Sequence, residues 1–499
     1  MKKDFPKKNP RRKKTRIIWR GFIYRLILLF FLAVFSYAGF IVYKIHNLEE
    51  KIYIQSSDTK NKNLKSSSFT EKTKNFLSGK TPELKGEDRD RINILLLGAG
   101  GEGHKGKYLT DTIMVASVNP QTYETAFLSI PRDLYVEVPD YEVKTKINAV
   151  FSYGLRNQSS SKGEAISLIK KSVENVTNQP IDYYLMLDFK GFEKIINELG
   201  GIQINVEKDI VDHRYPGPNH SYQTFKISKG SHQLDGETAL KYARVRHTEG
   251  GDFARASRQQ KVIAAAKRKA FSLNNFVDPR KINSLFDALG DNLITNVKIS
   301  EVPSFLKLAN NINIYNTTNR VLDAWSEDSL LAVDHVPMGG VNAFVLAPRI
   351  GNYSEIHDLA KNIFEIDKIK RQQESTKEEN AKIELISSNH NNLIKARELL
   401  AKIDYNVEIN EESETSCSNE VEIFNNNSNK MFTLNDLAKK FQTKVANKEM
   451  ESEKDIIICL PEKKMDFLYH EEKTQNQEYP EEPPMIDENG KVFYNESKE

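Results

Sequence analysis

INILLLG, from Ile92 to Gly98, opens the folded part of the chain immediately after Arg91. A short apolar run that ends at glycine suits a strand buried on both faces. TIMVASV (112–118) and ETAFLSI (124–130) follow as two more strands around a turn at Asn119-Pro120. Helical periods then occupy 164–176, 189–199, 236–245 and 253–271, with strand-like YYLML (183–187) and IQINV (202–206) between them. Strands alternating with amphipathic helices predict an α/β core of α/β/α type around a central mixed sheet. A further helix is expected near 300–311.

Working outward, the 499 residues are 39% hydrophobic, which suffices for sizeable cores and excludes a wholly disordered chain. The net charge of +3 hides segregation: Lys2 to Arg25 holds eleven Lys or Arg against Asp4, and the last thirty residues are acidic. Leu26 to Tyr43 then runs eighteen residues without a charge. With Ile17, Ile18 and Trp19 at its basic edge, that run can span about 30 Å of hydrocarbon. Tyr24, Tyr37 and Tyr43 suit the interfaces, and the basic flank predicts a cytoplasmic N-terminus. Ser36-Tyr37-Ala38 is a poor cleavage site, so the segment is read as a retained anchor.

The expected organisation is a basic cytoplasmic tail (1–25), a transmembrane helix (26–43), a polar stalk (44–90) and an α/β domain (91–352). A charged helical linker (353–382), a small α/β unit (383–461) and an acidic disordered tail (462–499) complete it. The small unit combines IELIS (383–387), a helix over 392–403, YNVEI (405–409), a helix near 434–444 and DIIICL (455–460). Cys417 and Cys459, the two cysteines, have neither metal-site nor framework spacing. They can bridge only if that unit brings them face to face.

Four stretches concentrate reactive residue types. GAGGEGHKGKYLTDT (98–112) is a glycine-rich turn leading to Asp111, a candidate ligand for a hard cation such as Mg²⁺ or Mn²⁺. Ser129-Ile-Pro-Arg-Asp133 presents Arg132 beside Asp133, and Lys144-Thr-Lys146-Ile-Asn148 opens a helix near it. The densest stretch holds Arg244, Arg246 and His247, then Asp252, Arg255, Arg258 and Gln259. On an extended segment Arg244 and Arg246 face the same way. On the following helix Asp252, Arg255 and Gln259 share a face, with Arg258 on its flank. So many guanidinium forks suit a pyrophosphate better than a single carboxylate. Nucleic acid is disfavoured, because the folded part lies across the membrane and the arginines are not interleaved with aromatics.

These blocks, in this order between Arg91 and Lys269, resemble the LytR-CpsA-Psr family of cell-wall glycopolymer ligases. The unit at 383–461 is similar to the LytR C-terminal domain, with Ser-Asn-His in place of the usual Asn-Gly-Thr turn. The resemblance implies a phosphotransferase on the outer face of the bacterial cell membrane. It would move a glycopolymer from a polyprenyl-pyrophosphate carrier to peptidoglycan or another envelope acceptor through a phosphodiester bond. Carried over by position, Asp111 would hold Mg²⁺ and Arg132 would contact phosphate. Arg244, Arg246, Lys146, Arg255 and Gln259 would line the head-group site, supported by Asp252 and Arg258. Asp133 and Asp252 are the candidate general bases. An apolar groove for the polyprenyl chain is also implied, with Phe189, Phe192, Ile195 and Ile196 as wall or ordinary core.

One position departs from the family pattern: Gly100 stands where an aspartate usually follows LLLG. Glu102 or His104 is then the expected substitute ligand, unless Asp111 and the pyrophosphate oxygens suffice. A non-catalytic protein binding lipid-linked glycan or wall polymer, and a pyrophosphatase, are the alternative readings.

Overall fold

The computed structural model describes residues 82–463, apart from 105, 158–161, 218–220, 249–250, 273–289, 291, 299–300, 313–316, 327, 339, 411–416, 427, 448–449 and 451, together with 485–486 and 492–493. The basic arm, the expected transmembrane helix at 26–43, most of the stalk and nearly all of the acidic tail lie outside the described residues. Among the described residues no helix is long and apolar enough to cross a membrane.

The chain begins with β1 (Ile92–Ala99), β2 (Thr110–Val118) and β3 (Thr125–Ile130), then a small hairpin, β4 (Tyr135–Glu137) and β5 (Lys144–Lys146). Helices α1 (Val150–Asn157) and α2 (Lys162–Thr177) lead to β6 (Tyr183–Asp188) and α3 (Phe189–Glu198). Four strands follow as two antiparallel pairs: β7 (Ile202–Val206) with β10 (Gly230–Leu234), enclosing β8 (Ile210–Pro216) with β9 (Tyr222–Ile227). Helices α4 (Gly236–Arg244) and α5 (Gly251–Ser272) come next. The domain continues through β11 (Leu293–Thr295), α6 (Val302–Asn311), β12 (Thr317–Val321), β13 (Leu331–Met338) and β14 (Val341–Pro348).

The main sheet runs β11-β6-β1-β2-β3-β12 and is mixed. INILLLG lies at its centre, parallel to β6 and antiparallel to β2. Leu95, Leu97 and Ala99 point to one face, where they meet Val150, Phe151, Ile166, Ile169 and Val173 of α1 and α2. At the other face Ile92 packs with Val118, Tyr183 and Leu308 of α6. Farther along that face Gln260 of α5 bonds Ser129 of β3 at 3.3 Å. Helices on both faces explain why β1 is apolar throughout rather than alternating. The second core, under β7–β10, α3, α4 and α5, holds Ile196, Tyr215, Tyr242 and Val262. Phe192 is partly buried against it, whereas Ile196 is ordinary core.

The boundary expected at 352 moves C-terminally. The charged segment forms two helices, α7 (Ser354–Lys361) and α8 (Ile366–Glu379). Ile356, Ala360 and Ile363 belong to the main core, so α7 closes the α/β domain and only α8 is linker. Surface charges on α7 masked an apolar stripe of few residues.

The small unit contains β15 (Ile383–Ile386), α9 (His390–Ala401), β16 (Val407–Asn410), β17 (Glu422–Asn425), α10 (Met431–Lys440), β18 (Val445–Asn447) and β19 (Ile456–Cys459). Its sheet order is β16-β15-β19-β17-β18. Strands β17 and β18 were not expected, because each is three or four residues long and flanked by asparagines. Cys417 and Cys459 are bridged, with Cα atoms 5.5 Å apart and a sequence separation of 42. Closing a loop of that length in the unfolded chain stabilises the unit by about 4 kcal/mol. Cys417→Ser with Cys459→Ser is therefore expected to lower the stability of the small unit by about that free energy, and its unfolding midpoint with it. Calorimetry of the full chain should show the α/β domain's transition unmoved; a shift of both transitions together would contradict two separate cores.

Candidate functional site

Strand directions collect the reactive segments on one sheet edge. Since β6 and β3 run with β1, and β12 runs with β3, all four end at the same edge, where antiparallel β2 begins. Ligand sites in such sheets lie beyond the carboxyl ends of parallel strands. That edge carries the glycine loop after β1, Asp111 at the start of β2, Arg132 after β3, Phe189 after β6 and Asp323 after β12.

Asp133 is its electrostatic centre. Its side chain is buried, with Lys146 Nζ donating to Oδ1 at 2.7 Å and Arg132 Nε to Oδ2 at 3.3 Å. Arg132 Nη1 also donates to Asp111 Oδ1 at 3.1 Å, so one guanidinium bridges two carboxylates. Backbone bonds fix the same segments: Ile147 N–H to Leu134 O at 2.8 Å, Asn148 N–H to Arg132 O at 3.2 Å and Leu346 N–H to Asp133 O at 2.9 Å. Burial alone would raise the Asp133 carboxyl, but Arg132 and Lys146 outweigh it and hold the group below the ordinary 3.8. An anion paired on both oxygens and held ionised is a brace, not a proton acceptor. The reading of Asp133 as general base is corrected accordingly.

Arg244 closes α4 rather than lying on an extended segment, which corrects the alternation expected for Arg244 and Arg246. Its guanidinium lies over the Phe189 ring at 4.2 Å and donates to Tyr215 Oη at 3.3 Å. The edge of His104, from the glycine loop, meets Phe189 with ring centroids 5.1 Å apart. Burial, with Arg244 and Lys190 nearby, lowers the His104 imidazole below its usual value, so it is neutral at pH 7. His247 Nδ1 lies 3.1 Å from Asp212 Oδ1, a carboxylate buried on β8. A register shift between Asp212 and Tyr215 turns both inward, so β8 braces the arginine segment at two points.

Helix α5 supplies Arg255, Arg258 and Gln259. Arg255 and Gln259 line a cleft with Asp111, Thr112, Ser129, Pro131, Asp323 and Trp325. Arg258 instead turns to backbone carbonyls, donating to Tyr242 O and Val245 O. It ties α5 to the end of α4, so Arg258, expected beside the head-group residues, is spent on backbone carbonyls and not on direct ligand contact. Asp252 lies in the first turn of α5, and its side chain is outside the described residues. Arg246 is half-buried in the α4–α5 connection.

The residues available to a metal are few. Glu102 is exposed and pairs with Lys107 of its own loop at 3.2 Å. A Cβ on Gly100 would stand 3.1 Å from His104 Cβ, so a side chain there would need His104 to give by a few tenths of an ångström. Gly101 has φ of +78°, and a Cβ on it would meet Asp188 Cβ at 2.7 Å, which fixes this loop as glycine. Among the described residues no group of three or more metal-ligating side chains occurs. Asp111, half-exposed and bonded through Oδ1, fits a Mg²⁺ shared with a pyrophosphate and not one held by protein alone.

Sequence reading missed Asp212, Tyr215, Asp323 and Trp325. For Asp212, an aspartate directly after the apolar pair Ile210-Val211 was the available signal.

The LytR_cpsA_psr family matches residues 49–326, more than half of the chain. The chain belongs to the LytR_cpsA_psr family. Among its relatives, a polyisoprenyl-teichoic acid–peptidoglycan teichoic acid transferase TagU of Enterococcus faecalis is 30% identical over 283 residues, covering 56% of this chain and 79% of that protein. The Bacillus subtilis transferase TagV is 33% identical over 289 residues, covering 56% of this chain and 66% of that protein. The crystal structure of B. subtilis TagV aligns with a TM-score of 0.42 at 27% identity, over 55% of this chain and 96% of that one. In this LytR_cpsA_psr chain the matched region ends one residue after Trp325, and the small unit lies beyond it.

The depressed Asp133 carboxyl sets a pH dependence. Its pairing stabilises the fold above the ordinary carboxylate range and is lost as pH falls through the lowered native value. Asp133→Asn leaves Lys146 and Arg132 facing a neutral amide, an expected cost of about 3–5 kcal/mol near neutrality. Denaturant unfolding of both proteins should show that difference shrinking below the ordinary 3.8. A difference that does not change with pH would mean that Asp133 acts by shape rather than charge.

Proposed function

We propose that this chain is a membrane-anchored phosphotransferase that moves a glycopolymer from a polyprenyl-pyrophosphate carrier to a cell-wall acceptor, peptidoglycan or another envelope glycan. The observation that carries this reading is the Arg132 guanidinium, held between Asp133 and Asp111, the latter lining a cleft together with Arg255 and Gln259. Membership of a family whose relatives are named teichoic acid transferases supports the choice of donor and acceptor.

An acceptor sugar hydroxyl attacks the phosphorus nearer the glycan. The new P–O bond forms as the bond to the second phosphate breaks, polyprenyl phosphate departs, and the hydroxyl proton passes to solvent water. Such transfers pass through a loose, charge-rich transition state, so positioned cations matter more than a strong base. Arg132 and Arg255 neutralise the equatorial oxygens, and Lys146 keeps Asp133 ionised so that Arg132 holds its direction. Arg244, carried on Phe189, faces the head-group on the β6 side, with Arg246 beside it. A Mg²⁺ on Asp111 would add neutralising charge, with pyrophosphate oxygens completing its shell. The half-buried Leu96, Leu185 and Leu187 of β1 and β6 are the apolar surface nearest that side, where the polyprenyl chain would lie.

The test uses the full-length protein in detergent with a polyprenyl-pyrophosphate-linked oligosaccharide and peptidoglycan fragments, with and without Mg²⁺. Polyprenyl phosphate release and a glycan-phosphate mass on the acceptor are expected. Arg132→Ala should lower kcat by on the order of 10²–10³. Release without acceptor labelling would replace the reading with hydrolysis. Tight donor binding without turnover in any metal would replace it with a binding protein.

A further inference from the structure

Trp325 and Trp19 are the two tryptophans of the chain. Trp325 is 60% exposed, far more than a residue of this size needs for packing. Its backbone is held in a closed turn. Asp323, buried just after β12, accepts the N–H groups of Trp325 and Ser326 at 2.8 Å each, and the Ser326 hydroxyl at 2.9 Å. Leu331 N–H closes the same turn on Asp323 O at 3.1 Å. A buried carboxylate is thus spent on presenting an indole to solvent.

The indole is presented at the cleft that Asp111, Arg255 and Gln259 line. In the strand order β6-β1-β2-β3-β12, it stands at the opposite end of the reactive edge from Phe189 and Arg244. Four inter-strand steps separate the two ends, roughly 19 Å. The half-buried apolar residues of β1 and β6 lie toward the far end, whereas the cleft beside Trp325 mixes Asp111, Arg255, Gln259 and Asp323 with apolar residues such as Ile130 and Val321. A mixed lining of that kind suits a ligand that carries both hydroxyls and C–H surface.

We propose that Trp325 is the platform of a sugar subsite, stacking the C–H face of a pyranose ring beside the phosphate-binding residues. A pyranose offers one apolar face of C–H bonds and a rim of hydroxyls. The indole meets the face, and Gln259, whose amide nitrogen is only 3.5 Å from Ala243 O, keeps its oxygen for the rim. Asp323 fixes the backbone turn that carries the indole, which lowers the ordering cost of binding there. Donor and acceptor both carry such a ring next to the reacting phosphate or hydroxyl, and the test separates them. The inference rests on the transfer reading for the identity of the neighbouring phosphate, not for the sugar contact itself.

The experiment uses the full-length chain in detergent with Trp19→Phe, so that emission reports Trp325 alone. Three probes are titrated: polyprenyl pyrophosphate carrying a disaccharide, sugar-free polyprenyl pyrophosphate, and a peptidoglycan-derived disaccharide. The emission should shift with a sugar-bearing probe and stay unchanged with the sugar-free lipid. A response to the lipid-linked sugar assigns the donor ring, and a response to the free disaccharide assigns the acceptor ring. Trp325→Ala should raise KM for that same substrate about tenfold at constant kcat, with Trp325→Phe near wild type and thermal midpoints unchanged. An equal response to the sugar-free lipid or to glycan-free vesicles would overturn the subsite, as would KM values within about twofold for both substrates in Trp325→Ala. If the wild type transfers nothing, the transfer reading fails while the emission response still decides the subsite.

Discussion

A carboxylate buried among cations organises the reactive edge of this protein. Asp133 touches Lys146 and Arg132, and the charge of Arg255 also bears on it. An isolated anion at that depth would be neutralised or expelled; here three cations from three chain segments keep it ionised. The pairing works in both directions. Each cation is desolvated and held in one place, and Arg132, tethered at Nε and Nη1, cannot swing away. Positive charge fixed before the ligand arrives costs no reorganisation when a phosphate binds.

The rest of the molecule serves to bring those segments together. Parallel pairing of β6 with β1 and of β12 with β3 puts the ends of four strands on one edge. Helix α5 crosses to that edge, anchored by Arg258 on the carbonyls that end α4 and by Gln260 on Ser129. The β8–β9 pair holds the connection between α4 and α5 from the other side, through Tyr215 on Arg244 and Asp212 on His247. The outcome is a row: Phe189 and Arg244 at the β6 end, Asp111 and Arg132 in the middle, Trp325 at the β12 end. Its chemistry grades from apolar through cationic to an exposed aromatic.

Several residues changed meaning once packed. Arg258 shares its helix face only partly with Arg255, and it became a backbone tie because its side chain is buried where α4 ends. Asp133 had been read as a base from its place beside Arg132; the second cation, Lys146, lies on another strand and reverses that reading. Gly100 lies close under His104, whose Cβ would be 3.1 Å from a Cβ placed there. The charged run after 352 concealed Ile356, Ala360 and Ile363, which face inward and complete the main core. Similarity to known relatives settles the family, and its aligned region stops at 326, before α7 and the disulfide-bridged unit.

Local pattern alone determined the central strand, the order of strands and helices, and the identity of most cleft residues. INILLLG is apolar at every other position and more, so burial on both faces follows from its composition. SIPRD, KIN and the arginine stretch declare themselves by uncommon residue types at strand ends. Only the tertiary structure decided which polar groups meet, because pairs such as Lys146 with Asp133 and His247 with Asp212 join segments 13 and 35 residues apart. It also decided that Trp325 faces the cleft. A lone tryptophan in a polar turn carries no periodicity, and its exposure depends on β12 pairing with β3 and on the buried Asp323 beneath it.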